Sequence, residues 1–279
     1  PDESKLKTIV TSGWSAMYCS PRVVRVSVME AAPNTIISTV SNILKDKLIF
    51  IPEVDRKQHY DYALEEGESI GFIFPVYAWA PPQLVLNFIQ KLKFSRTDVY
   101  TYMVVTCGDN VGMTEKIFAK AVKEIGLQLQ ASFCVIMPNT YMIMRGMNLD
   151  KPNLAQRKVD NAKRLLPEIA KKIAQHEKVC NQLPKGIFPC LKSYPIRLGF
   201  NKSMTDKPFH TTERCVSCGK CVTVCPLQNI TLQTGKPQWN GNCTNCLACY
   251  HFCPENAIQY GSISAGKGQY YFGRESHSL

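Results

Sequence analysis

The sequence predicts an α/β protein, a doubly wound parallel sheet followed by a small α+β domain. Three observations carry this. Between residues 46 and 178, short apolar runs alternate with helix-period segments, the pattern of strands buried on both faces and joined by crossover helices. Eight of the thirteen cysteines lie in two closely spaced groups after residue 209. A chain of 279 residues with 45% hydrophobic content can bury one medium core and one small one. The boundaries fall at residues 1–178 for the sheet domain, 179–208 for a basic, aromatic linker and 209–279 for the cysteine-rich domain.

Lys47 to Pro52 reads as a strand and Ser69 to Pro75 as a buried one. Gln83 to Leu92 reads as a helix, with Leu84, Val85, Phe88, Ile89 and Leu92 on its apolar face. Tyr100 to Thr106 is the next strand, and Thr114 to Ile125 the next helix, stopped by Gly126. Ala131 to Met137 is a further strand. Leu154 to Glu177 reads as a long basic helix with Val159, Ala162, Leu166, Ile169 and Ile173 on one stripe and Pro167 as a kink point. The linker is too apolar for a free tether and is expected to pack against both domains.

Cys215, Cys218, Cys221 and Cys225 precede Pro226, and Cys243, Cys246, Cys249 and Cys253 precede Pro254. Each run has the C-x2-C-x2-C-x3-C-P spacing of bacterial iron-sulfur ligation. Three thiolates wrap one face of a cubane, and the fourth reaches the other cluster. Two 4Fe-4S clusters with crossed ligation are therefore expected. Zinc is the competitor, but a tetrahedral site has no use for a third cysteine at the same step plus a Cys-Pro, occurring twice. With so little apolar material beyond the clusters, the last domain is expected to depend on its metal.

The formal net charge is +11 and is unevenly placed. Lys and Arg balance Asp and Glu at 15 against 15 up to residue 150, but stand at 13 against 4 over residues 151–208. This basic stretch is a solvated helix face and linker, or a docking patch for an acidic redox partner. No nucleic-acid motif accompanies it. No run reaches the roughly 18 apolar residues of a membrane span, and no export signal is visible. Thirteen cysteines then point to a reducing cytoplasm.

Ligands of open parallel sheets bind at the carboxyl ends of the strands. After SIGFIFP comes the aromatic turn Val76-Tyr77-Ala78-Trp79-Ala80-Pro81-Pro82, and after YMVVT the small polar loop Cys107-Gly108-Asp109-Asn110-Val111-Gly112. The first supplies flat rings, the second backbone N–H groups and permissive φ angles. The segments GFIFPVYAWAPP, VVTCGDNVG and MPNTYM, with the double cysteine tail, resemble the EFR-type ferredoxin family. That family fuses a flavodoxin-like domain to a bacterial two-cluster ferredoxin-like domain. The resemblance implies an FMN site with Pro75, Val76, Tyr77, Ala78 and Trp79 on one wall. Thr106, Cys107, Gly108, Asp109, Asn110 and Gly112 would form the other.

The first forty residues depart from the family. Flavodoxin-like domains open with a strand running into a glycine-bearing phosphate loop. Here Met17 to Ser20 could end that strand, with Pro21 to Arg25 as the loop; or Val26 to Met29 could, with Glu30 to Thr35 as the loop. Neither loop has the glycines. The expected function is single-electron transfer through the clusters to or from FMN, as a carrier rather than an enzyme with its own substrate. The alternatives are a flavin-dependent oxidoreductase acting on a small substrate, with Tyr77 or Asp109 as proton donor and Cys107 as a redox or packed thiol, and a ferredoxin on a flavin-free docking scaffold.

Overall fold

The computed structural model describes residues 6–10, 47–144 and 146–270. Its main sheet contains β1 (Leu6–Val10), β2 (Lys47–Phe50), β3 (Ser69–Pro75), β4 (Tyr100–Cys107) and β5 (Leu129–Ile136). All neighbours pair in parallel, in the order β2-β1-β3-β4-β5. This is the doubly wound order of flavodoxin-like folds. Both faces are covered, which explains why the central strands read as continuous apolar runs. On one face, Ile70, Phe72 and Phe74 of β3 and Met103 and Val105 of β4 meet α2 (Gln83–Ile89) and α3 (Thr114–Glu124). The alternate residues, Ile73, Tyr102, Val104, Phe133 and Val135, meet α4 (Pro152–Ala174) on the other.

The elements expected between residues 69 and 177 are all present, to within three residues at either end, and the two-residue strand Lys93–Phe94 is an addition the sequence reading did not make. Two differences are informative. The strand expected over 47–52 stops at Phe50, because Ile51–Lys57 forms a helix, α1, with Pro52 in its first turn and Ile51 fully buried. The first strand is Leu6–Val10, upstream of both placements weighed above. It lies between β2 and β3, with Lys7 opposite Ile70 and Ile9 opposite Phe72. Both loops weighed for the phosphate lie outside the described residues. The residues that follow β1 in the sequence are Thr11, Ser12 and Gly13, so a hydroxyl- and glycine-bearing run does come next in the chain. Helix α4 runs unbroken through Pro167.

The cysteine region contains an antiparallel hairpin of β6 (Ile230–Gln233) and β7 (Lys236–Trp239), and Phe209–Thr211 pairs antiparallel with Ile258–Tyr260. Its Val224, Ile230, Tyr250, Ala257 and Ile258 belong to the same buried core as β4, β5 and α4. This is more apolar burial than the sequence suggested, and it makes the region a covering layer of the sheet. Gly71 lies opposite Tyr102, whose ring folds across it; a Cβ there would stand 2.1 Å from the ring. We expect Gly71→Ala to lower stability by about 2–3 kcal/mol through this overlap, read as a lower denaturant midpoint at unchanged m-value. Tyr102→Leu in that background should restore part of the loss.

Candidate functional site

At the carboxyl ends of β3, β4 and β5 lies a cavity of about 380 Å³. Ten of the eleven residues implied for the flavin walls line it: Pro75, Val76, Tyr77, Ala78, Trp79, Thr106, Cys107, Gly108, Asp109 and Asn110. Gly112 does not. It supports the site from outside, at φ 57° and so close to Trp79 and Ser193 that a Cβ would fall 2.6 and 2.4 Å from their side chains.

The first wall is a tight turn in which Tyr77 and Ala80 exchange backbone hydrogen bonds of 2.9 and 3.1 Å. Ala78 and Trp79 between them take φ of 44° and 58°, the left-handed region that a type I′ turn demands at both central positions. Non-glycine residues there carry roughly 1 kcal/mol or more of strain each. Ser193 of the linker holds the turn, donating to Trp79 O at 2.6 Å while accepting from Met113 N at 2.8 Å. Lys192 lies over the Trp79 ring, 5.2 Å from its centroid.

The second wall is fixed by a buried lysine. Lys158, one of the cations counted into the basic patch, points inward; its Nζ donates to Gly108 O at 2.8 Å and to Asp150 Oδ2 at 2.6 Å. Asp150 in turn accepts from Asn139 N at 3.0 Å. The glycine loop and the 138–141 turn are thus tied to α4 through one ammonium group. Of the loop's two glycines only Gly112 uses a left-handed φ. Cys107 is buried, with its Sγ 3.5 Å from that of Cys134, a packed thiol pair.

Sequence reasoning missed the other half of the lining. It comprises Met137 to Tyr141, whose MPNTYM turn was a visible signal, together with Lys192, Ile196 and Phe200 of the linker and Tyr270. Met144 and Met147, with Asn245, Cys246 and Leu247 of the second cysteine quartet, complete it. The chemistry fits a flavin: rings at Tyr77, Trp79 and Tyr141 can stack on a flat system. Two lining residues also hold buried polar atoms without a partner, Tyr77 Oη and Asn110 Oδ1, both shut off from the open space of the cavity. The Tyr77 ring is half-buried at the cavity while its hydroxyl is shielded from water. Burial pushes this phenol well above its ordinary pKa, and the adjacent Cys246 adds to the shift.

The two quartets repeat one backbone pattern. Ser217 and Gly219 in the first, and Asn245 and Leu247 in the second, take left-handed φ at equivalent positions. Short helices carry Cys221 and Cys249, and backbone N–H groups of Asn229 and Ala257 each donate 3.3 Å bonds to Cys225 and Cys253 Sγ. A small cavity is lined by Cys215, Cys218, Cys221 and Cys253 together. Cys225 lies instead within electrostatic reach of Cys246 and Cys249, beside Cys243. Burial pushes Cys243 up to about 12 and Cys221 to about 11 as free thiols, so only a cationic metal core would hold them as thiolates. The buried indole N–H of Trp239 is directed at Cys249, where a hydrogen bond to the sulfur favours the thiolate. Among the described residues no three of His, Cys, Asp or Glu converge tightly enough for a single metal ion. A cubane, with one thiolate per iron corner, does not require that convergence.

Residues 214–258 match the family model of a 4Fe-4S dicluster domain. A ferredoxin of Pyrobaculum islandicum is 38% identical over 68 residues, which is 22% of this chain and 63% of that protein. The match thus spans less than two thirds of that relative's length. Among solved structures, the Trp repressor binding protein from Bacillus subtilis is 11% identical, covering 58% of this chain and 97% of its own, at a TM-score of 0.33. An azoreductase from Bacillus anthracis is also 11% identical, covering 60% of this chain and 99% of its own, at 0.35. A flavone reductase is 12% identical, covering 84% and 80%, at 0.36. The strand order, rather than these likenesses, identifies the sheet domain as flavodoxin-like. The chain therefore carries a 4Fe-4S ferredoxin domain on a flavodoxin-like sheet.

Lys158→Met would leave the Asp150 carboxylate without its counter-charge, with only Asn139 N still donating to it, and would remove the lysine's hydrogen bond to Gly108 O. We expect a loss of roughly 3 kcal/mol, measured by urea unfolding, with partial recovery in the Lys158→Met, Asp150→Asn double variant.

Proposed function

We propose that this chain is an electron-transfer protein of the kind seen in EFR-type ferredoxins, with FMN in the sheet cavity and two 4Fe-4S clusters in the cysteine region. One observation carries the reading: the cavity built by the two strand-end loops is also lined by Cys246 and its neighbours Asn245 and Leu247. A group bound there would touch the polypeptide that ligates a cluster.

In this reading Cys225, Cys243, Cys246 and Cys249 hold the inner cluster, facing the cavity. Cys215, Cys218, Cys221 and Cys253 hold the outer one, where Cys218 is exposed. When bound, a flavin would supply exchange between electron pairs and single electrons, and the clusters a one-electron path to the surface. The chain's own part is positional. Tyr77, Trp79 and Tyr141 stack and exclude water, and Lys158 keeps the second wall closed. Tyr77 and Cys246 both line the cavity, so in this reading the flavin site and the inner cluster meet through these two residues. The redox partner we propose is an acidic protein meeting the exposed cations of α4, Arg157, Lys163, Arg164, Lys171 and Lys172.

Anaerobic reconstitution followed by quantitation of iron, acid-labile sulfide and released flavin should give about eight iron per chain and one FMN. Eight iron without flavin, even after FMN is added, would retire the flavoprotein reading and leave a ferredoxin on a flavin-free scaffold. Crossed ligation has a separate signature. Cys253→Ser should leave about four iron and expose Cys215, Cys218 and Cys221 to alkylation. Exposure of Cys243, Cys246 and Cys249 instead would mean that each quartet closes its own cluster.

A further inference from the structure

We infer that the outward face of the linker, between residues 185 and 202, docks on an anionic membrane surface. Around the helical stretch Pro189–Ser203, side chains divide between two faces. Ser193 and Phe200 point inward and are buried, and Ile196 lines the cavity. Phe188, Leu191, Tyr194 and Leu198 follow one another at helical spacing on the other side, with Ile187 beside them. Ile187, Phe188, Leu191 and Leu198 are 54–73% exposed, and Tyr194 is 47% exposed. Single exposed apolar residues are ordinary, but five within twelve positions of one segment form a patch that asks for a partner.

Charge selects that partner. Between residues 178 and 205 there is no Asp or Glu, while Lys178, Lys185 and Lys202 are exposed; Lys192 and Arg197 are instead held inward, over Trp79 and against Pro81 O and Gln83. Among the described residues none of the three exposed lysines forms an ion pair. An acidic protein would satisfy the cations yet leave five large apolar side chains against charged groups. A bilayer offers both layers at the matching depth, anionic headgroups over acyl chains. No helix among the described residues is long and apolar enough to cross a membrane, so the contact is with its surface. This inference does not depend on what the cavity holds.

The test is sedimentation of the reconstituted protein with phosphatidylcholine vesicles, with and without phosphatidylglycerol. Binding should be at least about tenfold tighter to the anionic vesicles and weaken in high salt. The Phe188→Ser, Leu191→Ser, Leu198→Ser variant should lose about tenfold or more of it, with its cluster absorption unchanged, and Lys185→Ser with Lys202→Ser should reduce the salt-sensitive part. Failure to bind either vesicle, equal binding to neutral vesicles, or undiminished binding by the triple serine variant would overturn the proposal. So would carbodiimide cross-linking of these lysines to an added acidic ferredoxin in the absence of vesicle binding, which would assign the patch to a protein.

Discussion

The continuous apolar core that runs from β4 and β5 through α4 into the cysteine region is the constraint from which the rest of the geometry follows. A parallel sheet must be covered on both faces. Here the ferredoxin domain supplies part of one cover, through Phe209, Val224, Ile230, Tyr250 and Ile258. Polar contacts fix its angle: His251 Nε2 lies 2.8 Å from Thr140 O, and Lys267 Nζ donates to Met142 O and Met147 O at 2.7 and 2.8 Å. These bonds hold the cysteine region to the 138–147 segment that lines the cavity. The loop of Cys246 consequently has one place to go, the open end of the sheet.

The linker is the second determinant. Its Ser193 pins the strained Trp79 turn, and Val111 N donates to Pro184 O at 2.8 Å. Gly186 lies so close to Asn110 that a Cβ would stand 2.6 Å from its amide carbon. At its far end, Asp206 accepts from Asn229 Nδ2 and Gly241 N at 2.8 and 2.7 Å, anchoring the linker in the ferredoxin domain. A segment of this composition looks in sequence like a basic spacer. In the fold it is a wall whose inner residues close the cavity and whose outer residues remain uncovered.

Legibility from sequence varied with the range of the interactions. The strands β3, β4 and β5 were readable because burial on both faces writes a local apolar run. The stripe of α4 was readable because Val159, Ala162, Leu166, Ile169 and Ile173 recur at helical period, and all five are buried. The strand Leu6–Val10 was missed because it is short, preceded by Lys5 and interrupted by Lys7, and outscored by the longer apolar run VVRVSVM. Lys158 could not be separated from its solvated neighbours, since nothing local distinguishes a lysine that will find Gly108 O and Asp150 from one that faces water.

The sequence by itself determined the parallel α/β architecture, the two cysteine quartets and the two strand-end loops. Each is encoded by periodicity or spacing within a few dozen residues. Only the tertiary structure decided that the cavity is shared with Cys246 and that the linker turns Ser193 inward and Phe188 outward. Those outcomes depend on how one core closes over another. Packing between residues far apart in the chain leaves no periodic trace in the residues themselves.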